Sequence, residues 1–254
     1  MAAEKDLQKK VIEEFSGMAA VKKYTKEALS GLWESEEKLI KRYFKKGSSV
    51  IDIGCGTGRT TIPLFRMGYK VTGLDITPKF IEIAKRIAGS KRLKIKYVAG
   101  DAAALKFKEG SFENAMFSFN GWTQIPMENI RLKALAEIYR VLKPRGCFIF
   151  TTHIRSWKGF TKLWLKQFAK IYILKPVGFH IEEIDFGDVF FSRDPTAEYS
   201  SKQFIHIPNV SHIRRLLEKT GFSVVLMAKR SEIAPGDSTL ASGNCMFYVC
   251  IKPE

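Results

Sequence analysis

An α/β fold built on a mostly parallel sheet is predicted by three observations. Short apolar runs rich in β-branched residues recur along residues 50–153, and amphipathic stretches of helical period separate them. The first run, Val50-Ile51-Asp52-Ile53, opens directly into a glycine-rich turn and a helix over Thr60 to Met67 that Gly68 closes. Acids stand at three successive strand positions, Asp52, Asp75 and Asp101. Strands that alternate with helices make a parallel sheet covered on both faces, and ligands settle at the carboxyl ends of such strands.

The turn Gly54-Cys55-Gly56-Thr57-Gly58-Arg59 explains why that site would lie here. Glycines let the backbone approach a ligand closely. The helix behind them offers free N–H groups to a carboxylate or phosphate. A dinucleotide fingerprint runs Gly-x-Gly-x-x-Gly. In this chain the third glycine comes one residue early, at Gly58, and Arg59 takes the expected place. The pattern is Asp-x-Gly-x-Gly-x-Gly, which resembles motif I of the class I S-adenosylmethionine-dependent methyltransferases. Taken alone, the loop is also compatible with a glycine-rich turn that binds nothing.

Composition sets the bounds. The 254 residues suit one α/β domain with a modest elaboration, and 45% apolar with 27% charged residues is a globular balance. No apolar run reaches the ~20 residues that span a bilayer. The N-terminus lacks an apolar signal core, which predicts a cytoplasmic protein with no membrane partner. Cys55, Cys147, Cys245 and Cys250 have no CxxC spacing and read as free thiols, with no metal. The net charge of +16 is spread over all segments without a run of five like charges, so a solvated surface is favoured over a nucleic-acid partner.

Residues 4 to 46 read as helices, with apolar stripes at Val11, Ile12, Phe15 and at Leu39, Ile40, Tyr43, Phe44. Ser35 and Lys38 form no capping box, so Trp33-Glu34 has no local duty. The second strand, Tyr69 to Asp75, ends in an acid that can accept hydrogen bonds from both hydroxyls of a ribose, with Ile76 beside it. Thr77 and Pro78 then start a helix. The third strand, Ile95 to Ala99, runs into Gly100-Asp101-Ala102, and the fourth, Phe112 to Phe119, into Asn120-Gly121-Trp122. A helix over Met127 to Leu142, a turn at Lys143-Pro144-Arg145-Gly146 and a fifth strand from Cys147 to His153 follow. From residue 50 to 153 the resemblance to the methyltransferases is continuous.

That resemblance implies S-adenosylmethionine as cofactor, S-adenosylhomocysteine as product, and an enzyme. It implies a Rossmann-like seven-stranded sheet with a reversed final strand, an N-terminal helical lid and an insertion before the last two strands. By resemblance, Asp101 and the N–H of Ala102 meet the adenine, and Tyr24 and Trp33 lie near the methionine end of the cofactor. Asp52, Gly54, Cys55, Gly56 and Gly58 hold the cofactor through motif I, while Phe119 and Asn120 face its reactive end. Trp122 packs on the sulfonium or an aromatic substrate, or walls the pocket.

The last third matches less well. Arg155 to Ile173 reads as a helix, His180 to Ser192 as a pair of short strands, and Val210 to Thr220 as a helix capped by Gly221. Phe222 to Ala228 and Met246 to Ile251 close the sheet. The expected divisions are a lid at 1–46, a cofactor core at 47–154, a substrate cap at 155–208 carrying Tyr199, and closing elements at 209–254. Methyl transfer needs a base only when the acceptor must lose a proton. His153, at the end of strand five, and His206 are the candidates. The fourth strand ends in neither an Asn/Asp-Pro-Pro-Tyr/Phe box nor a Pro-Cys pair. The favoured function is therefore methylation of an O or N atom of a small molecule by a monomer or homodimer. Methylation of RNA or protein, and a non-catalytic cofactor-binding module, are the alternatives; a nicotinamide dehydrogenase is more remote.

Overall fold

The computed structural model describes residues 12–13, 15–191, 203–239 and 245–254. The strands are β1 (Ser49–Ile53), β2 (Lys70–Asp75), β3 (Lys96–Ala99), β4 (Phe112–Phe117), β5 (Leu142–Thr152), β6 (Asp188–Phe191), β7 (Gln203–His206), β8 (Ser223–Lys229) and β9 (Met246–Ile251). Seven of them form one sheet in the order β3-β2-β1-β4-β5-β9-β8, and β6 with β7 makes a separate ribbon. Strands β1 to β5 pair in parallel, and β9 runs antiparallel to both β5 and β8. This is the Rossmann-like sheet with a reversed final strand.

The central strands read as continuous apolar runs because helices cover both of their faces. The helices are α1 (Met18–Glu27), α2 (Glu34–Tyr43), α3 (Thr61–Arg66), α4 (Pro78–Ser90), α5 (Glu128–Val141), α6 (Thr161–Ala169), α7 (Val210–Thr220) and α8 (Arg230–Ile233). On one side Leu135, Ile138 and Leu217 from α5 and α7 join Ile51, Phe148 and Phe150. On the other, Leu39 and Ile40 of α2 join Val50, Met116, Ile149 and Phe247. The start of α2 is capped from a distance: Asp237 accepts from Glu34 N at 3.3 Å and Ser35 N at 2.9 Å. A local partner exists as well, against the sequence expectation: Glu36 accepts from Trp33 N at 2.8 Å.

Three elements differ from the sequence expectation. The helix expected from Arg155 begins only at Thr161 and continues as a π-helix, Lys170–Leu174. Gly159, at φ +82°, turns the chain before it, with Phe160 N bonded to Trp157 O. Strand β6 pairs with β7, not with residues 180–186. The Asp188 carboxylate holds the N–H groups of Ile184 and Asp185, so those residues form a tight loop and cannot act as a strand. Strand β5 begins at Leu142 and takes in the expected turn, with Arg145 at φ +63° and a register shift against β4.

Candidate active site

A cleft opens at the carboxyl ends of β1, β2 and β4, where the glycine turn leaves the sheet. Gly58, at φ +103°, lies against Tyr97, whose hydroxyl would be 2.8 Å from an added Cβ. Gly56 (φ +53°) differs: an added Cβ would meet nothing within 4 Å, so its open side faces the cleft. Beside it, Asp75 accepts from Gly56 N and Thr77 N, both at 2.8 Å. Burial pushes the Asp75 carboxyl up, and these two N–H groups oppose the shift. Across the cleft Asp101 accepts from Ala103 N at 2.8 Å. Leu74, Ile76 and Phe80 supply apolar wall between the two acids.

The N-terminal segment roofs this cleft. The Tyr24 ring sits 5.3 Å from Phe80 and 6.2 Å from Phe119, centre to centre, and Phe15 packs edge-on against Tyr24 and Phe80. Thr57 Oγ1 donates to Tyr24 O at 2.6 Å and so fastens α1 to the glycine turn. Behind the turn Arg59 is clasped by Glu36, donates to Ser118 and Gly31 O, and lies between the Trp33 and Phe119 rings. Ser118 also donates to Glu36. Burial works against the Arg59 charge, but the Glu36 carboxylate outweighs it and holds the guanidinium firmly protonated.

Of the residues singled out from the sequence, Tyr24, Gly54, Cys55, Gly56, Asp75, Ile76, Asp101, Ala102 and Phe119 line this one cleft. Asp52 does not. Its carboxylate turns inward to accept from Thr60 and Thr61 hydroxyls at 2.6 and 2.5 Å, tying β1 to α3. Burial lifts its pKa to about 6. Gly58 and Trp33 stand behind the cleft wall, in the contacts just described. Asn120 N donates to Thr151 Oγ1, and its side-chain nitrogen lies 3.5 Å from His153 Nδ1.

Trp122 is a correction. It is fully buried, donates to Arg131 O and packs edge-on against Phe150, so it belongs to the core and offers no face to a substrate. The histidines are not brought together. His153 is half-buried beside Asn120, one residue from the cleft-lining Phe119 and Gly121. His206 lines a separate cleft of about 510 Å³ with Glu128, Arg155, Tyr172 and His212. Its Nδ1 is 2.8 Å from Asp188, and burial lowers its pKa. Asp185, Asp188 and His206 converge closely enough for a metal, but Arg131 holds Asp185, and His206 with two backbone N–H groups holds Asp188. Tyr199 lies outside the described residues.

Sequence reasoning missed Phe15, Glu27, Thr57, Arg59, Gln124 and Ile125 in the lining. Arg59 carried a usable signal. A cation at the N-terminus of a helix opposes the dipole and calls for a buried acid. Nothing local marked Glu27 or Gln124.

Residues 50–146 match the family model described as a methyltransferase domain. Over these residues the chain is similar to methyltransferase domains. A demethylmenaquinone methyltransferase of Staphylococcus aureus is 29% identical over 182 residues, 70% of this chain and 69% of that one. A crystallised S-adenosylmethionine-dependent methyltransferase of Methanosarcina mazei aligns over 88% of this chain and 99% of its own, at 24% identity and a TM-score of 0.70. The 1,6-didemethyltoxoflavin N1-methyltransferase of Burkholderia thailandensis, solved with its substrate and S-adenosylhomocysteine, covers 87% of this chain and 78% of its own. Its identity is 15% and its TM-score 0.59, a likeness of fold. In the present chain, the cleft lies where the glycine turn meets the second and third strand ends.

Proposed function

We propose that the chain transfers the methyl group of S-adenosylmethionine to an O or N atom of a small molecule. The observation that carries this reading is the pairing of Asp75 with Gly56. A carboxylate braced by two N–H groups stands next to backbone that leaves room for a ligand. Each carboxylate oxygen keeps a lone pair beyond the bond it already accepts. The cofactor presents four groups of donors, two ribose hydroxyls, an adenine amino group and an ammonium, beside one carboxylate. The cleft answers with acceptors, Asp75, Asp101 and Glu27. The residues fit the group.

Bound there, the cofactor supplies a methyl carbon activated by a positively charged sulfur. The chain then has to orient, desolvate and, for a protonated acceptor, remove a proton. Tyr24 and Phe119 face the cleft with π-surfaces that favour a cation. Gln124, Ile125, Pro126 and Ile130 make a mostly apolar end suited to a small acceptor. His153 is the base beside this cleft, with Asn120 to orient it; His206 serves the fold of the cap. The aromatic roof of Phe15 and Tyr24 favours a small acceptor over a polymer.

The test uses S-adenosylmethionine with a radiolabelled methyl group, incubated with the protein and a cell extract that is then separated into small molecules, RNA and protein. Label among the small molecules supports the reading. Label in RNA or protein overturns the acceptor class, and cofactor binding without label in any fraction points to a non-catalytic module.

A further inference from the structure

Helix α6 and its flanks carry an apolar surface that packing among the described residues does not use. Its inner stripe is complete: Trp164, Gln167 and Ile171, at helical spacing, are buried. Gln167 bonds both Gly187 N and Asp188 O, and Arg155 lies over the Trp164 and Phe186 rings. Yet ten of the twelve large apolar side chains exposed among the described residues fall within residues 157–179. Trp157, Phe160, Leu165, Phe168, Ile173 and Phe179 are each between 47% and 60% exposed. An apolar face this dense marks a contact surface.

Charge identifies the occupant. Residues 155–179 hold six basic residues and no acid. Lys170 is paired with Glu183, but Lys158, Lys162 and Lys166 have no acidic partner among the described residues. Lys162 and Lys166 share the outward side of α6 with Leu165, so cations and apolar groups point the same way. A second copy of the chain would bring like charges face to face. Nucleic acid would meet the lysines and leave the apolar side chains in water. An anionic lipid surface satisfies both, because aliphatic and aromatic groups enter the interface while lysine stems reach back to the headgroups.

We propose that the outer face of residues 157–179 docks this protein on an anionic lipid bilayer. No helix among the described residues is long and apolar enough to cross a membrane, and the segment lies on the surface. This departs from the sequence expectation of no membrane partner, which rested on the lack of a spanning run. The inference is independent of the methyl acceptor.

The full chain is mixed with vesicles of phosphatidylcholine alone, or of phosphatidylcholine with phosphatidylglycerol, and sedimented. Binding is expected to the anionic vesicles and to weaken with added salt. Trp157 reports insertion directly, because Trp33, Trp122 and Trp164 are buried; its emission should shift to the blue. Lys162→Gln with Lys166→Gln should weaken binding about twenty-five-fold, at roughly fivefold per lysine near an anionic surface. Leu165→Glu with Phe168→Glu should abolish it while circular dichroism and Tm stay unchanged. The proposal is overturned if wild type neither sediments with anionic vesicles nor shifts its emission. It is also overturned if Leu165→Glu instead dissolves a dimer, or if the lysine variants lose RNA retention while vesicle binding is absent.

Discussion

Glu36 and Arg59 meet in a bidentate ion pair, Oε1 to Nη2 at 2.6 Å and Oε2 to Nη1 at 2.8 Å, that joins α2 to the glycine turn. Glu36 also accepts from Trp33 N, so one carboxylate fixes the helix start, the arginine and, through Ser118, the end of β4. Helix α2, the glycine turn and the end of β4 are thereby tied together. Removing one partner leaves a buried charge unpaired.

Glu36→Gln is expected to cost about 3–5 kcal/mol, and Arg59→Met a similar amount. The double substitution Glu36→Gln with Arg59→Met should cost less than the two single losses combined, because no charge is stranded. Urea unfolding of the four proteins measures this. Equal, additive and small losses would mean that the pair does not join the elements.

Asp52 predicts a pH dependence of opposite sign to that of most carboxylates. Burial lifts its pKa to about 6 from the ordinary 3.8. The folded protein therefore holds this proton more tightly than the unfolded chain. Its contribution to stability is fully present below about pH 4 and is lost as pH rises through about 6, a change of about 3 kcal/mol. Asp52→Asn should remove that slope, read as stability relative to wild type across the window. A slope unchanged by the substitution would contradict the buried carboxylate.

The two histidines separate by readout. His153→Ala is expected to lower turnover by about 10²–10⁴ on a protonated acceptor while cofactor affinity holds. His206→Ala should leave chemistry in place and cost about 1–3 kcal/mol of stability, since the buried Asp188 loses its partner. Because burial lowers the His206 pKa, its contribution is present above the unfolded histidine value and is lost as pH falls from there through the lower folded value. Turnover and unfolding assays on both variants check the division; a kinetic defect confined to His206→Ala would reverse it.

The strand–turn–helix over residues 50–67 is legible because each of its constraints is local: β-branched strand, glycine turn, short helix. Asp75 and Asp101 are legible as strand-end acids, and both line the cleft. Asp52 is not, because its neighbours Thr60 and Thr61 draw the carboxylate inward only once α3 is folded over β1. Glu36 with Arg59, and Asp237 capping α2, join residues far apart in the chain, and neither partner announces the other. Helical spacing identifies α6 but not its orientation, since apolar residues occupy both of its sides. The β6–β7 pairing escaped for the same reason: a strand pattern does not name its partner.

The most direct test of the cofactor site is a calorimetric titration with S-adenosylmethionine of wild type and Asp75→Ala, each checked for fold by circular dichroism. Wild type should bind one equivalent. Asp75→Ala should bind about a hundredfold more weakly, the loss of two charge-assisted hydrogen bonds to ribose. Equal affinity in the two folded proteins would contradict the placement of the cofactor in this cleft.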